Sequence, residues 1–341
     1  MTGLPASLEN RTKTYWRPET AQPAAPDGIA IVTAFFDIDR AGWSYRNSDV
    51  STKYRRSVDY YFGCFDNLAL VKNHLIVFTS PDLAQRVLDA RKAHGLQDRT
   101  FIFTIDQLFE TPEVAAPLAA AQARMTEKFK DFVWRPTAPE FNKADYVLLT
   151  ALKSTFACTA IAMGAVSAPQ LAWIDFGYAR DAAMVENATE WAFDFGDKIN
   201  LFAIFQLDDR PIFDIVRRGE AYMQGGHVVG PPSAWPLFNR QMSEAFRALI
   251  ACGLIDDEQT MMVMAWRAAP ELFTLRRHPT DPEYDWRFII KRFQRGAPQP
   301  VDRPLRAVFD RGQPDWLRDL KTIVRRRLRA RIRALRFGRL G

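Results

Sequence analysis

Short apolar runs alternate with longer amphipathic segments along this chain of 341 residues. The runs are rich in β-branched and aromatic side chains, as in strands that are buried on both faces of a parallel sheet. On this basis we predict five strands, at residues 29–36, 74–79, 101–105, 171–175 and 200–206.

The segments between these runs have helical patterns. Ser80-Pro81-Asp82 is a typical helix start, with a capping residue, a proline in the first turn and an early acid, and Gly95 is a typical stop. Further helices are predicted at residues 144–163, 212–223, 234–252 and 256–268. Strands that alternate with helices predict an α/β fold, a doubly wound, mostly parallel sheet with helices on both faces.

Charge divides the chain into parts. The net charge is +6, but residues 301–341 contain 13 Lys or Arg and four Asp, so this segment alone carries +9 and the other 300 residues sum to −3. The proline-containing stretch 298–304 predicts a boundary before it. We therefore predict three parts: an N-terminal extension (1–27), one globular domain (28–296) and a basic tail (297–341).

The remaining composition narrows the class of protein. Hydrophobic residues make up 48% and charged residues 25% of the chain, as in a protein with a well-formed core. Three widely spaced cysteines fit a reducing compartment, and the four scattered histidines have no metal-ligand spacing. Residues 1–26 lack the apolar core of a signal peptide, and Lys153 interrupts the one long apolar stretch, 146–166. These features predict a cytoplasmic protein.

Two strand ends are candidate ligand sites, because open parallel sheets bind ligands beyond the carboxyl ends of their strands. The first is the segment from Thr33 to Asp37, and the second is Asp175-Phe176-Gly177-Tyr178. An ordinary turn is the alternative, since Asp and Gly commonly follow strands. Asp-Phe-Gly does not indicate a protein kinase here, because the sequence has neither a glycine-rich loop nor a His-Arg-Asp motif.

Several motifs occur in a characteristic order: residues 31–38 (IVTAFFDI), then Arg56-Ser57, Trp173-Ile-Asp-Phe-Gly-Tyr178, Gly225-Gly226 and Asp256-Asp-Glu-Gln259. In this order they resemble the bacterial HtrL/YibB proteins over residues 28–273. Those proteins are regarded as glycosyltransferase-like, with a nucleotide-sugar fold of the GT-A type. The resemblance implies a transferase that uses a nucleotide sugar, with UDP-sugars favoured, and a cell-surface glycan or lipid-linked acceptor.

The resemblance also implies roles for residues. The nucleoside would lie against Thr33, Ala34, Phe35 and Asp37, and the diphosphate near Arg56 and Lys153. Lys153 belongs to an apolar helix, and a buried ammonium requires a partner. A structural ion pair is the alternative for Lys153, and a solvated surface cluster for Arg56.

The family fold usually holds Mg²⁺ or Mn²⁺ with an Asp-x-Asp pair, for which hard oxygen ligands are suited. Here Asp175 is the corresponding carboxylate, and no second acid follows it. A single carboxylate, helped by water and phosphate, could still hold a divalent cation, so the use of a metal stays open.

Two further segments are candidates in the same scheme. The paired glycines Gly225 and Gly226 allow close approach of the backbone to a sugar, or form an ordinary loop. Asp257 and Glu258 are candidates for the general base that deprotonates an acceptor hydroxyl. The alternative is a helix start, with Asp256 as the cap and the next two acids in the first turn.

The basic tail has one apolar stripe, formed by Val324, Leu328, Ile332 and Leu335. Such a helix, within Lys321–Gly341, suits an anionic membrane surface, and a lipid-linked acceptor favours that partner over nucleic acid. A solvated tail is the alternative. Two rival functions also stay open: a non-catalytic scaffold that kept the fold, and nucleic-acid binding through the tail.

Overall fold

A computed structural model describes residues 3–20, 24–25, 27–43, 54–185, 190–204, 207, 209–277 and 289–296. Its strands are β1 (Lys13–Trp16), β2 (Ile29–Phe35), β3 (Leu75–Thr79), β4 (Thr100–Thr104), β5 (Gln170–Ile174), β6 (Ile199–Ala203), β7 (His227–Gly230) and β8 (Phe273–Arg277). Its helices are α1 (Val58–Leu68), α2 (Ala84–Lys92), α3 (Pro112–Gln122), α4 (Glu127–Phe132), α5 (Ala144–Ala151), α6 (Lys153–Ala162), α7 (Ile212–Arg218), α8 (Trp235–Ala251), α9 (Glu258–Ala268) and α10 (Ile289–Arg292).

The described strands lie in one eight-stranded sheet, in the order β1-β4-β3-β2-β5-β7-β6-β8. Strands β4, β3, β2 and β5 are parallel neighbours, and β6 and β8 are parallel to each other. Strand β7 is antiparallel to both of its neighbours, and β1 is antiparallel to β4 at the edge. The prediction of a mostly parallel α/β sheet is confirmed.

Alternate residues of the strands pack into two cores, one on each face of the sheet. In β2, Ala30 and Val32 join the core that is covered by α5, α6, α8 and α9. Ile29 and Ile31 join the core that is covered by α1 and α2. Because both faces are covered, the central strands have continuous apolar sequences, which is why the pattern predicted them.

The order in which successive strands are placed in the sheet changes direction between β2 and β5. From β2 it proceeds outward to β3 and β4, and then returns to place β5 on the other side of β2. The carboxyl ends of β2 and β5 therefore diverge at a topological switch point, where α/β sheets leave a crevice for ligands.

Several predicted boundaries differ from the structure. The predicted helix 144–163 is two helices, α5 and α6, with a break at Leu152 (φ −75°, ψ 0°). Helix α2 begins at Ala84 rather than at Ser80, because residues 81–83 form a turn first. Helix α7 ends at Gly219, which adopts φ +60° and so stops the helix earlier than predicted.

The ends of the chain contribute differently to the described fold. Leu4 and Leu8 of the predicted N-terminal extension are buried in the core, and β1 joins the sheet. Residues 297–341, which include the predicted basic helix, lie outside the described residues. None of the described helices combines the length and the apolar character needed to cross a membrane.

The buried guanidinium of Arg91 links α2 to the strands. Its Nε donates to Thr100 Oγ1 (2.8 Å), and its other nitrogens donate to the carbonyl oxygens of Ala69, Val71 and Asn73 at 2.6–3.1 Å. These carbonyls lie in the turn between α1 and β3, where no strand or helix neighbour among the described residues satisfies them. Arg91 thus replaces the missing backbone partners of this turn.

Replacing Arg91 with Met should lower the free energy of unfolding by roughly 3 kcal/mol, because several buried carbonyls lose their donors. Urea denaturation would measure the loss. The neighbouring exposed residue gives a matched control: Lys92→Met removes one charge near the Trp16 ring and should cost less than about 1 kcal/mol. Equal losses in the two variants would contradict the proposed role of Arg91.

Candidate functional site

A cavity of about 550 Å³ lies at the switch point, beyond the carboxyl ends of β2 and β5. Ten of the eleven residues predicted for the site line it: Ala34, Phe35, Asp37, Arg56, Lys153, Asp175, Gly225, Gly226, Asp257 and Glu258. The exception is Thr33, which is fully buried inside β2. It lies two residues before the end of the strand, so neighbouring elements cover it and its side chain does not reach the cavity.

Lys153 is the centre of an ion-pair cluster in the cavity wall. Its Nζ lies 2.7 Å from Glu258 Oε1, 2.8 Å from Asp175 Oδ1 and 2.8 Å from the Gly225 carbonyl oxygen. A lysine ammonium has three N–H donors, and these three acceptors use all of them. The partners that a buried ammonium requires are therefore, at Lys153, two carboxylates and a backbone carbonyl.

The protonated state of this lysine is strongly favoured. Burial lowers the pKa of Lys153, since its side chain is only 9% exposed, but the charges and hydrogen bonds of Asp175 and Glu258 outweigh burial. The pKa therefore lies above its usual range. The ammonium is fully charged at neutral pH and has no hydrogen left to donate to a ligand.

Gly225 permits the close approach of Glu258 to Lys153. A Cβ atom at position 225 would lie 2.0 Å from Glu258 Oε1, which no side chain tolerates. At Gly226 the nearest atom would be Gln224 Nε2, at 3.3 Å, the far end of a flexible side chain. The loop is also tied to β5, because Asp175 N–H donates to the Gly226 carbonyl oxygen (2.9 Å). Of the paired glycines, Gly225 is the one that the cluster requires.

The three acids at the start of α9 have different roles. The helix cap is Asp257, whose Oδ1 accepts from Gln259 N–H (3.1 Å), and not Asp256 as predicted. Asp256 is buried one residue earlier, where its oxygens accept from Asp257 N–H and from the Thr260 hydroxyl. Glu258 points to Lys153 with Oε1, while its Oε2 is buried and has no hydrogen-bond partner among the described residues.

Burial and mutual repulsion raise the pKa values of Asp256 and Asp257. Burial first, and then the charges of Glu258 and Asp256, raise the pKa of Asp257 well above its usual range. Burial and the charge of Glu140 raise the pKa of Asp256 to about 8. Because a carboxylate with a raised pKa is a stronger base than usual, this corner of the cavity is suited to accept a proton.

Asp175 is the cavity carboxylate that the family resemblance assigned to a divalent cation. In the described part of the chain, no three His, Cys, Asp or Glu side chains are grouped to hold a metal ion. Asp175 Oδ1 already accepts hydrogen bonds from Trp173 Nε1 and from Lys153, each at 2.8 Å. This leaves Asp175 with one oxygen for any further ligand.

An arginine and several tyrosines in the cavity wall were not predicted from the sequence. The guanidinium of Arg40 lies 4.8–5.6 Å from the ring centres of Trp43, Tyr61 and Tyr146, and it donates to the Tyr61 hydroxyl and the Tyr54 carbonyl. These aromatic residues come from three separate parts of the chain. No spacing in the sequence could indicate this cage, because only the tertiary fold brings its members together.

A smaller cavity of about 180 Å³ adjoins the first. The two share a wall formed by Tyr54, Tyr146, Asp257 and Gln259. Asp257 therefore lines both cavities.

These features define an α/β protein with a polar cleft at the switch point of a mostly parallel sheet. The chain belongs to the HtrL/YibB family, whose model, described as "bacterial protein of unknown function (HtrL_YibB)", matches residues 27–290. The curated relative "Protein HtrL" of Escherichia coli (strain K12) is 32% identical over 250 residues, which is 72% of this chain and 86% of that protein. The family resemblance inferred from the motifs is confirmed.

The two adjacent glycines give a test of the cluster. Gly225→Ala should lower the free energy of unfolding by about 2 kcal/mol, because the new methyl group must displace Glu258 from Lys153. Gly226→Ala should cost less than about 1 kcal/mol, since only the flexible Gln224 side chain must shift. Urea denaturation of the two variants measures both values. A larger loss at Gly226 than at Gly225 would contradict this account of the loop.

Proposed function

We propose that this protein is a nucleotide-sugar-dependent glycosyltransferase with a nucleotide-sugar fold of the GT-A type. One observation carries the proposal. A single cavity at the switch point of the sheet is lined by two sets of residues that were predicted separately. One set, which includes Ala34, was predicted for donor binding, and the other, which includes Glu258, for proton transfer. The cavity volume, about 550 Å³, suits a ligand of the size of a nucleotide sugar.

The donor would bind across the end of β2. Its nucleoside, uridine by preference, would lie against Ala34, Phe35 and Asp37, and tyrosine side chains in the wall offer stacking surfaces. The diphosphate needs cations, and Lys153 has no hydrogen left to donate. We therefore assign the diphosphate to the arginines of the lining, Arg40, Arg56 and Arg180.

Transfer would proceed by attack of an acceptor hydroxyl on the anomeric carbon of the donor sugar. The new glycosidic bond forms as the bond between this carbon and the phosphate oxygen breaks, and the departing diphosphate takes the electron pair. In an inverting reaction the hydroxyl proton passes to a carboxylate. Asp257 is suited to this role, because it faces both cavities and its pKa is raised. Glu258 is instead a positioning residue, since Lys153 holds it.

The acceptor would be a cell-surface glycan or a lipid-linked precursor of one, bound from the side of the smaller cavity. A lipid-linked acceptor places the enzyme on the cytoplasmic face of the membrane. The basic segment Lys321–Gly341 would hold it there through anionic lipid headgroups. These assignments of acceptor and location rest on the family resemblance and on the charge of the tail.

Donor binding should raise the melting temperature of the purified protein, because a ligand that binds only the folded state stabilises it. At about 100 times its Kd, a nucleotide adds about 2.7 kcal/mol and shifts Tm by several degrees. We expect this shift with UDP in a thermal screen against UDP, GDP, CMP and dTDP. A folded protein that responds to none of them would favour the non-catalytic scaffold.

Activity should depend on Asp257 and should increase as pH rises through the raised pKa of this carboxyl. A raised pKa keeps this carboxyl protonated up to a higher pH than usual, so the basic form, and with it kcat/KM, increases as pH rises through that pKa. Asn also caps helices, so Asp257→Asn should fold normally yet lose about 100-fold in transfer and most of the pH dependence. Release of nucleotide from the matching donor measures the rate.

The control for this variant is nucleotide affinity, which Asp257→Asn should leave within about twofold of the wild-type value. A variant that binds the nucleotide and transfers at the wild-type rate at every pH would exclude Asp257 as the base.

A further inference from the structure

Three oxygens surround one point in the wall of the cavity. Glu258 Oε1, Asp175 Oδ1 and the Gly225 carbonyl oxygen all lie 2.7–2.8 Å from Lys153 Nζ. Two carboxylates and a carbonyl are the hard oxygen ligands that Ca²⁺ and Mn²⁺ prefer in proteins. The position that such an ion would take is occupied by an ammonium group from α6.

A second observation is that the cluster has a carboxylate oxygen that Lys153 cannot bind. Glu258 is only 5% exposed at its side chain, and its Oε2 is buried with no hydrogen-bond partner among the described residues. The ammonium has only three hydrogens, and all three are engaged. A metal ion is not limited in this way and could bind both oxygens of Glu258, as calcium does with bidentate carboxylates.

We propose that Lys153 is the resident cation of this site and takes the place of a divalent metal ion. The cleft of the wild-type protein therefore requires no such ion, because the lysine already neutralises and orients Asp175 and Glu258. It follows that removal of the lysine side chain should convert the same oxygens into a metal site. This inference concerns the cation alone and holds whatever substrate the cleft binds.

The test compares the full-length wild-type protein with Lys153→Ala. Titration with Mn²⁺, followed by isothermal calorimetry and by the paramagnetic signal of the free ion, should give one site in Lys153→Ala. We expect binding at least about tenfold tighter than in the wild-type protein. Mn²⁺ should also raise the melting temperature of the variant relative to EDTA, and should leave that of the wild-type protein unchanged.

Two matched variants locate the site. Lys153→Met fills the same space without charge, so it should be destabilised like Lys153→Ala but should not respond to Mn²⁺. In Lys153→Ala combined with Glu258→Gln, a ligand is lost and the binding should fall by at least about tenfold. Ca²⁺ should act in the same way as Mn²⁺, since oxygen ligands suit both ions.

Several results would overturn the proposal. One is a folded Lys153→Ala protein that binds Mn²⁺ no better than the wild-type protein does. Another is a wild-type protein that binds one Mn²⁺ and loses it in Asp175→Asn. If Lys153→Ala unfolds in EDTA, refolding with millimolar Mn²⁺ decides: recovery supports the proposal and failure to recover overturns it. An absence of nucleotide binding would bear only on the proposed transferase.

Discussion

A buried ammonium, that of Lys153, holds the walls of the cleft together. A charge out of contact with water is costly unless it is paired and fully hydrogen-bonded, and here the three acceptors come from three other parts of the chain. The start of α6, the end of β5, the glycine loop before β7 and the first turn of α9 are therefore fixed relative to one another. Removing one member leaves the others uncompensated, so the cluster acts as a unit.

The same interaction sets the charge of the cleft. One ammonium against Asp175 and Glu258 leaves an excess of one negative charge, close to the further acids of the α9 start. Burial first, and then the charges of Glu258 and Asp256, raise the pKa of Asp257. Arg40, Arg56 and Arg180 also line the cavity, so it presents guanidinium groups as well as carboxylates to a ligand.

The sequence allowed the central sheet to be predicted, because strands covered on both faces require continuous apolar runs. Strands β1, β7 and β8 were missed. The first is largely exposed, the second has only four residues beside Gly and Pro, and the third ends in two arginines. Strand ends and family motifs identified the chain segments of the cleft. They could not identify the partners of Lys153, which lie 72 and 105 residues away along the chain in Gly225 and Glu258, or the cage around Arg40. Such contacts depend on the tertiary fold.

The distance in sequence between Lys153 and Glu258 also has a consequence for biosynthesis. Domains generally fold as units while the chain leaves the ribosome. By the time Asp175 has emerged, the sequence of the four central parallel strands and of α6 is complete, but the ammonium at the start of α6 then has only Asp175 as a counter-ion. A nascent chain must keep this lysine hydrated until α9 has been synthesised. The N-terminal half of the domain contains most of the sheet, but the cleft would consequently stay incomplete until the C-terminal half has been synthesised.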